Sequence, residues 1–311
     1  MILAAAVFSF TVDGFAGGRN LSFLLLDVVA IGVIALPLTL VVVTGEIDLS
    51  VASTLGLSSA LMGKLWLSGF TIELSVVLCL VAGVVLGLVN GFFVTVLGLP
   101  SLAVTIGTLA LYRGLATVLL GDQAVADFPA EWTRAATADL PGTPIPLVLL
   151  PLLVLVVLFA VLLHYTAFGR TLFAMGANAE AARFSGVSVR RTKLLLFVAT
   201  GVISALAGIY WTLRYASARG DNGTGLELSV VAAVLLGGVS IFGGRGSMGG
   251  VVAAVLLLGT LSNGLRLADV SADTLTIVTG GLLIVSVVVP NLLQRARAAR
   301  QRRDRAHALK P

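Results

Sequence analysis

The feature that most constrains this chain is its succession of uninterrupted apolar runs, several of them about 20 residues long, the length a helix needs to cross a hydrocarbon core of roughly 30 Å. Residues 24–44, 74–97, 102–120 and 194–213 show it most clearly. Only 11% of the 311 residues are charged, against roughly a quarter in an ordinary soluble domain. A chain so poor in charge lacks the polar surface to cover itself in water. Lipid leaves no water to bond an open backbone, so such runs must become helices that satisfy their own peptide groups. Ten segments are read: 1–12, 24–44, 51–67, 74–97, 102–120, 146–164, 194–213, 229–242, 250–265 and 274–292. The expected fold class is an all-α integral membrane protein of about ten transmembrane helices. The first segment is short for a span, and no basic n-region precedes it. That argues against a signal peptide and points to a late-assigned start or a truncated first helix.

Charge orients the spans. Twelve of the 20 Lys and Arg residues fall in two stretches, Arg170 to Lys193 and Arg295 to Lys310. Basic clusters beside apolar spans mark the cytoplasmic side, whereas the formal net charge of +5 alone would have suggested nucleic acid, which the clustering excludes. With the Arg170–Lys193 loop inside, four further segments bring the basic tail, 293–311, inside as well. Six segments counted backwards put the N-terminus inside. The loop 121–145 then faces outward, with Asp122, Asp127, Glu131 and Asp139 against a single Arg134. Both termini are thus expected in the cytoplasm, with residues 1–292 forming the membrane domain.

The chain also repeats itself. Asp48-Leu49-Ser50-Val51 returns as Glu227-Leu228-Ser229-Val230, and Asn90-Gly91, Ser101-Leu102 and Gly107 return as Asn263-Gly264, Thr274-Leu275 and Gly280. Five spans separate the copies, so the halves have opposite orientation. Two inverted repeats of about five helices each are expected, with a transport pathway between them.

Enzymatic constellations are missing from the sequence. There is no Ser/His/Asp set, no pair of helix carboxylates and no Cys/His cluster, so no catalytic residue and no metal site is assigned. Cys79 lies inside an apolar run and reads as a small core residue; His164 and His307 are isolated. The nearest approach to a phosphate loop is Gly63-Lys64, but Ser58 stands where the first Gly belongs and Leu65 replaces the Ser/Thr that would meet Mg²⁺. No cofactor is expected in this chain. If ATP drives it, ATP and Mg²⁺ are held by a partner ATPase.

Three features carry the functional reading. The first is Gly45-Glu46-Ile47-Asp48-Leu49-Ser50 between two spans. Carboxylates there are costly and often functional, yet Asp48 or Ser50 can also cap the following helix; pathway and capping roles stay open for both. Asn90 and Asn263, matched by the repeat, face either the pathway or another helix. The second is the loop 166–193, whose Ala-rich core from Gly176-Ala177-Asn178 to Ala182-Arg183 and Gly186 reads as a short, non-spanning docking helix. The third is the small-residue segment Gly237-Gly238 and Gly243 to Gly250, which permits close packing and a bent or half-crossing helix.

Together the Gly-x-Ile-Asp-Leu-Ser turn, the run Leu99-Pro100-Ser101-Leu102-Ala103-Val104-Thr105-Ile106-Gly107-Thr108-Leu109, the Gly-Ala-Asn-x-x-Ala-Ala-Arg-x-Ser-Gly-Val stretch and the Gly-Gly-Arg-Gly-Ser segment resemble, in order, the ribose/xylose/arabinose-type permeases of binding-protein-dependent ABC importers. The branch with rhamnose and autoinducer-2 permeases is nearest. The likeness spans about residues 20–292. It implies a permease subunit for a monosaccharide, a second permease copy or a sibling beside it, cytoplasmic ATP-binding subunits and an extracytoplasmic sugar-binding protein. It implies further that Gly176, Ala177, Asn178, Ala182, Arg183 and Gly186 belong to the helix that couples to the ATPase, and that Asp48 and Ser50 lie near the translocation path. Glu46 departs from the pattern, which often has Gly there. The competing expectation is a secondary transporter driven by an ion gradient, which would need titratable groups in mid-membrane; Asp27 is the nearest candidate.

Overall fold

Described in a computed structural model, the protein comprises residues 1–271, 273–285 and 288; the basic tail 293–311 and the end of the last apolar run lie outside them. Among the described residues the architecture is helical, with two isolated β-bridges, Val125 to Ala218 and Asp139 to Pro146. In chain order the helices are α1 (Ile2–Thr11), α2 (Gly18–Val43), α3 (Val51–Leu67), α4 (Ile72–Thr95), α5 (Ser101–Leu120) and α6 (Ala130–Thr137). Then follow α7 (Leu149–His164), α8 (Ala167–Ala177), α9 (Ala179–Phe184), α10 (Val189–Tyr215), α11 (Leu226–Leu236), α12 (Met248–Leu267) and α13 (Asp273–Val285).

Among the described residues every apolar run overlaps a helix, but not every helix is a span. Five, namely α2, α4, α5, α10 and α12, are long and apolar enough to cross a membrane, and α7 with α8 makes a sixth if that pair, bent by 63°, is one span. The described residues therefore support a multi-pass helical membrane protein with five or six such spans, a coarser picture than ten. Helix α11 has 11 residues, about 16 Å at 1.5 Å per residue, half of a crossing. Helix α1 has ten residues and none of them buried.

Helix α2 is the axis of the bundle, buried along nearly all of its length, with Pro37 in its interior. Helices α10, α12, α11 and α7 pack around it, α10 lies across α4 and α3, and α3 packs on α5. Apolar side chains gain little by leaving lipid, so close backbone approach must do the work that the hydrophobic effect does in water. At the α4–α10 crossing the devices are Gly83, Gly87 and Gly201. A Cβ on Gly87 would lie 2.4 Å from the Phe197 carbonyl oxygen, and one on Gly201 would lie 2.3 Å from that of Gly83. The two helices meet main chain to main chain.

The connections gather at two ends. At one, the turn 44–50, the start of α5, the segment 165–193 and the turn 237–247 are joined: the Ile47 N–H donates to Ser101 Oγ at 3.1 Å, Lys193 pairs with Glu46, and the Gly244 N–H donates to the Val43 carbonyl at 2.8 Å. At the other, Val125 bridges Ala218, Ser22 Oγ donates to Asp139 Oδ1 at 2.7 Å, and Pro144 lies against Gly18. Helices α2, α5, α7 and α10 thus run from one of these ends to the other.

Gly87→Leu is expected to overpack the α4–α10 crossing at a cost of about 1–3 kcal/mol or more. Thermal unfolding in detergent should show a lower Tm than that of Gly107→Ala, which adds a carbon where nothing lies within 4 Å.

Candidate functional site

The turn after α2 folds inward. Gly45, at φ +83°, turns the chain where a side chain would be strained. Asp48 is 2% exposed and bonded on both oxygens. Its Oδ1 accepts from the Ser50 N–H at 2.9 Å and from Ser50 Oγ at 2.6 Å, and its Oδ2 accepts from Thr200 Oγ1 of α10 at 2.8 Å. Ser50 Oγ in turn accepts from Asn90 Nδ2 of α4 at 2.8 Å. Tyr112 of α5 donates to the Leu86 carbonyl at 3.0 Å and touches Asn90 Oδ1 at 3.5 Å. Asp48, Ser50 and Asn90, separated by up to 42 positions, thus form one buried network spanning three helices. Capping is not how it works: no side chain caps α3, and Asp48 instead closes a local turn onto the Ser50 N–H. Asn263 stands apart, exchanging two amide hydrogen bonds with Asn20 of α2 at 2.9 and 3.1 Å. The repeat partners Asn90 and Asn263 are not brought together and are not used alike.

Sequence reasoning missed Thr200 and Tyr112, neither of which stands in a local pattern that announces it. It noticed Glu46 only as a departure; here Glu46 pairs with Lys193 at the start of α10, both side chains partly buried. Ser101 and Thr105, from the Leu99–Leu109 run, hold the Ile47 peptide from both sides, Thr105 Oγ1 donating to its carbonyl at 3.3 Å. Asp27, ten residues into α2, is taken up by Arg214 of α10 and by Arg266 of α12 at 3.6 Å.

The segment 166–193 stands at the same end as the turn. Thr166 Oγ1 accepts from the Gly169 N–H at 3.2 Å and so caps α8, and Gly169 leaves room for the sharp bend against the Leu163 carbonyl. Asn178 Oδ1 accepts from the N–H groups of Glu180 and Ala181 at 3.0 and 2.9 Å, starting α9 as an N-cap does. Gly186, at φ +86°, ends that turn. Ala182 is buried and points inward, and Gly176 lies against the main chain of Val43 and Gly244. Ala177, Asn178, Arg183 and Gly186 are exposed, and so is Phe184 at 85%. Phe184 filled a variable position of the motif and was not singled out from sequence.

A second irregular stretch enters from the opposite end. Asn222 Nδ2 donates to Ser59 Oγ of α3 at 2.8 Å, and Gly223 sits beside Ala52 and Leu55, so α11 begins deep in the bundle. Non-helical backbone at such depth is tolerated where protein surrounds it or a cavity adjoins it. A cavity of about 470 Å³ does adjoin it, lined by Trp211, Thr224, Ser229, Ser262, Arg266 and Thr279 among others.

Residues 20–287 match the family described as branched-chain amino acid transport system / permease component. The chain belongs to that family. Relatives agree with the assignment over most of their length. The autoinducer 2 import system permease protein LsrD of Yersinia enterocolitica is 37% identical over 268 residues, 84% of this chain and 80% of the relative. The protein of the same name from Yersinia pseudotuberculosis is 38% identical over the same shares, and that of Yersinia pestis 37%. No solved structure matches the chain. Four motifs that lie far apart in this permease converge on one turn.

Thr200→Val keeps the shape of the side chain and removes the donor to Asp48 Oδ2. Leaving that acceptor unsatisfied costs about 1–3 kcal/mol, and the expected result is a lower Tm of the purified permease with α-helical content unchanged by circular dichroism.

Proposed function

We propose that this chain is the membrane subunit of an ATP-driven, binding-protein-dependent importer of a monosaccharide-type solute, autoinducer 2, rhamnose, ribose or a similar molecule. The observation that carries the reading is near-full-length similarity to import permeases combined with a short helix, α9, which at 6 residues is too short to span and turns Arg183 and Phe184 outward. An element of that kind has a use only if something docks on it. The partners proposed are cytoplasmic ATP-binding subunits on α9, a sugar-binding protein at the opposite end, and a second permease, identical or sibling, in the bilayer. ATP and Mg²⁺ belong to the ATP-binding subunits.

We place the end that holds 166–193 in the cytoplasm, with the basic tail 293–311 on the same side of the inner membrane; the N-terminus, expected there too, precedes an α2 that starts at the opposite end, and the ten residues of α1 are too short for a full crossing. Residues 1–292 form the permease domain. Two inverted repeats of about five helices remain the proposed plan. In its support, the repeated tetrapeptides Asp48–Val51 and Glu227–Val230 each lie at the N-terminus of a short helix, α3 and α11, and those helices touch. Half-crossing helices entered from opposite sides are how many transporters build a pathway. The cavity beside α11 falls within the usual range of small-molecule sites, roughly 300–1,000 Å³, and offers hydroxyls, an indole and a guanidinium to a neutral polyol. Asp48, Ser50 and Asn90 border this region through α3, and their part in transport is to set its shape.

An ion-gradient mechanism finds less support. The carboxylate set furthest into a long span, Asp27, is held by Arg214 and Arg266, and Asp48 has no oxygen free for a cation. Removing the partner ATPase should abolish uptake of labelled solute, and a protonophore applied with ATP held constant should leave uptake intact; the reverse pattern sinks the proposal. Arg183→Glu and Phe184→Ala on the outward face of α9 should each lower transport per ATP hydrolysed by about tenfold, within the 1–3 kcal/mol range of intersite couplings, while insertion, followed by membrane fractionation, is unaffected.

A further inference from the structure

Where the segment 166–193 meets the bundle, three main chains lie in contact with no side chain between them. The Gly244 N–H donates to the Val43 carbonyl at 2.8 Å, and Gly176, next to last in α8, lies over that bond. A Cβ on Gly176 would stand 1.9 Å from Val43 O and 2.3 Å from Gly244 N. Gly243 and Gly244 both adopt left-handed conformations, φ +80° and +72°. A Cβ on Gly243 would meet Gly45 N at 2.8 Å and the Cα of Gly176 at 3.0 Å. After α9 the same segment is fastened again, since Lys193 pairs with Glu46. Both attachments, one on either side of α9, thus end on residues 43–46. Two residues on stands Asp48, whose bonds run to α10 through Thr200 and to α4 through Ser50 and Asn90.

We infer that the turn 43–50 is the element through which movement of α9 enters the bundle, with Gly176, Gly243 and Gly244 as a rigid backbone junction and Glu46–Lys193 as a second attachment. The inference rests on the ATP-driven reading above. Close-packed interiors transmit displacement with little loss, and a contact made by backbone alone has no rotamer to absorb it. A flexible side chain inserted there would. The junction also explains why Gly243-Gly244 stands in the turn before α12 and why α8 ends on Gly-Ala: neither is required to form a helix, and both are required for the contact. Gly176, Glu46 and Lys193 are positioning residues, acting on the solute path through Asp48.

The test uses the full complex of permease, ATP-binding subunits and binding protein in proteoliposomes, with labelled solute taken up per ATP hydrolysed as the readout. Gly176→Ala is expected to lower that ratio by about tenfold, inside the range of intersite couplings. Glu46→Lys and Lys193→Glu are expected to lower it singly, and the double exchange to restore it; this series decides the matter if Gly176→Ala does not assemble. Wild-type ratios for Gly176→Ala, or single exchanges as efficient as wild type, overturn the inference and leave the functional reading standing. A double exchange that fails to recover overturns the second attachment. Absence of any ATP-dependent uptake by the wild-type complex overturns both the functional reading and the inference.

Discussion

A carboxylate in the middle of an apolar bundle is tolerable only if the protein replaces the water it has lost. Asp48 meets that condition with Ser50 on one oxygen and Thr200 on the other. The rest of the structure is arranged around the requirement. Thr200 must face inward from the middle of α10, so α10 must cross α4 closely, and the glycines of both helices make that crossing possible. Asn90 must reach Ser50 from α4. The turn itself must hold its inward fold, which Ser101 and Thr105 secure from α5. Remove the carboxylate and these contacts lose their common centre.

That centre also explains an asymmetry between the repeat copies. Glu227 corresponds to Asp48, but its Oε2 is buried with no hydrogen-bond partner among the described residues. Asn263 corresponds to Asn90, but it pairs with Asn20 and not with the α11 turn. One half of the molecule uses the motif to lock helices together. The other half leaves it next to a cavity.

How much of this was legible beforehand follows the range of the interactions. Apolar periodicity is local, so each run found its helix, with ends displaced by a few residues. The run 229–242 became α11 over Leu226–Leu236 because Gly238, at φ +85°, stops the helix where hydrophobicity alone does not. The acidic loop 121–145 hides α6, whose few apolar residues are set by helical spacing and not by density. The span count resisted for a related reason: composition marks a segment as lipid-soluble, but cannot distinguish a full crossing from a half crossing that protein surrounds. Pairings such as Thr200 with Asp48, 152 positions apart, leave no trace in either neighbourhood. The motifs were visible; what they were for was not, because their purpose is to meet one another.

The outward face of α9 sharpens the same lesson. Small residues in the stretch 176–186 invite the view that they let a partner approach. Gly176 and Ala182 instead let this chain approach itself, one against the Val43 and Gly244 backbone and the other buried under α9. Arg183 and Phe184 are large side chains that the segment leaves exposed. Phe184, 85% exposed, stands at the end of the short helix that Asn178 caps. On the ATP-driven reading proposed above, this is the face an ATP-binding subunit would cover, and the inward glycine contact is what that subunit would move. Smallness and exposure, which look alike in a list of residues, divide here into the two faces of one short segment.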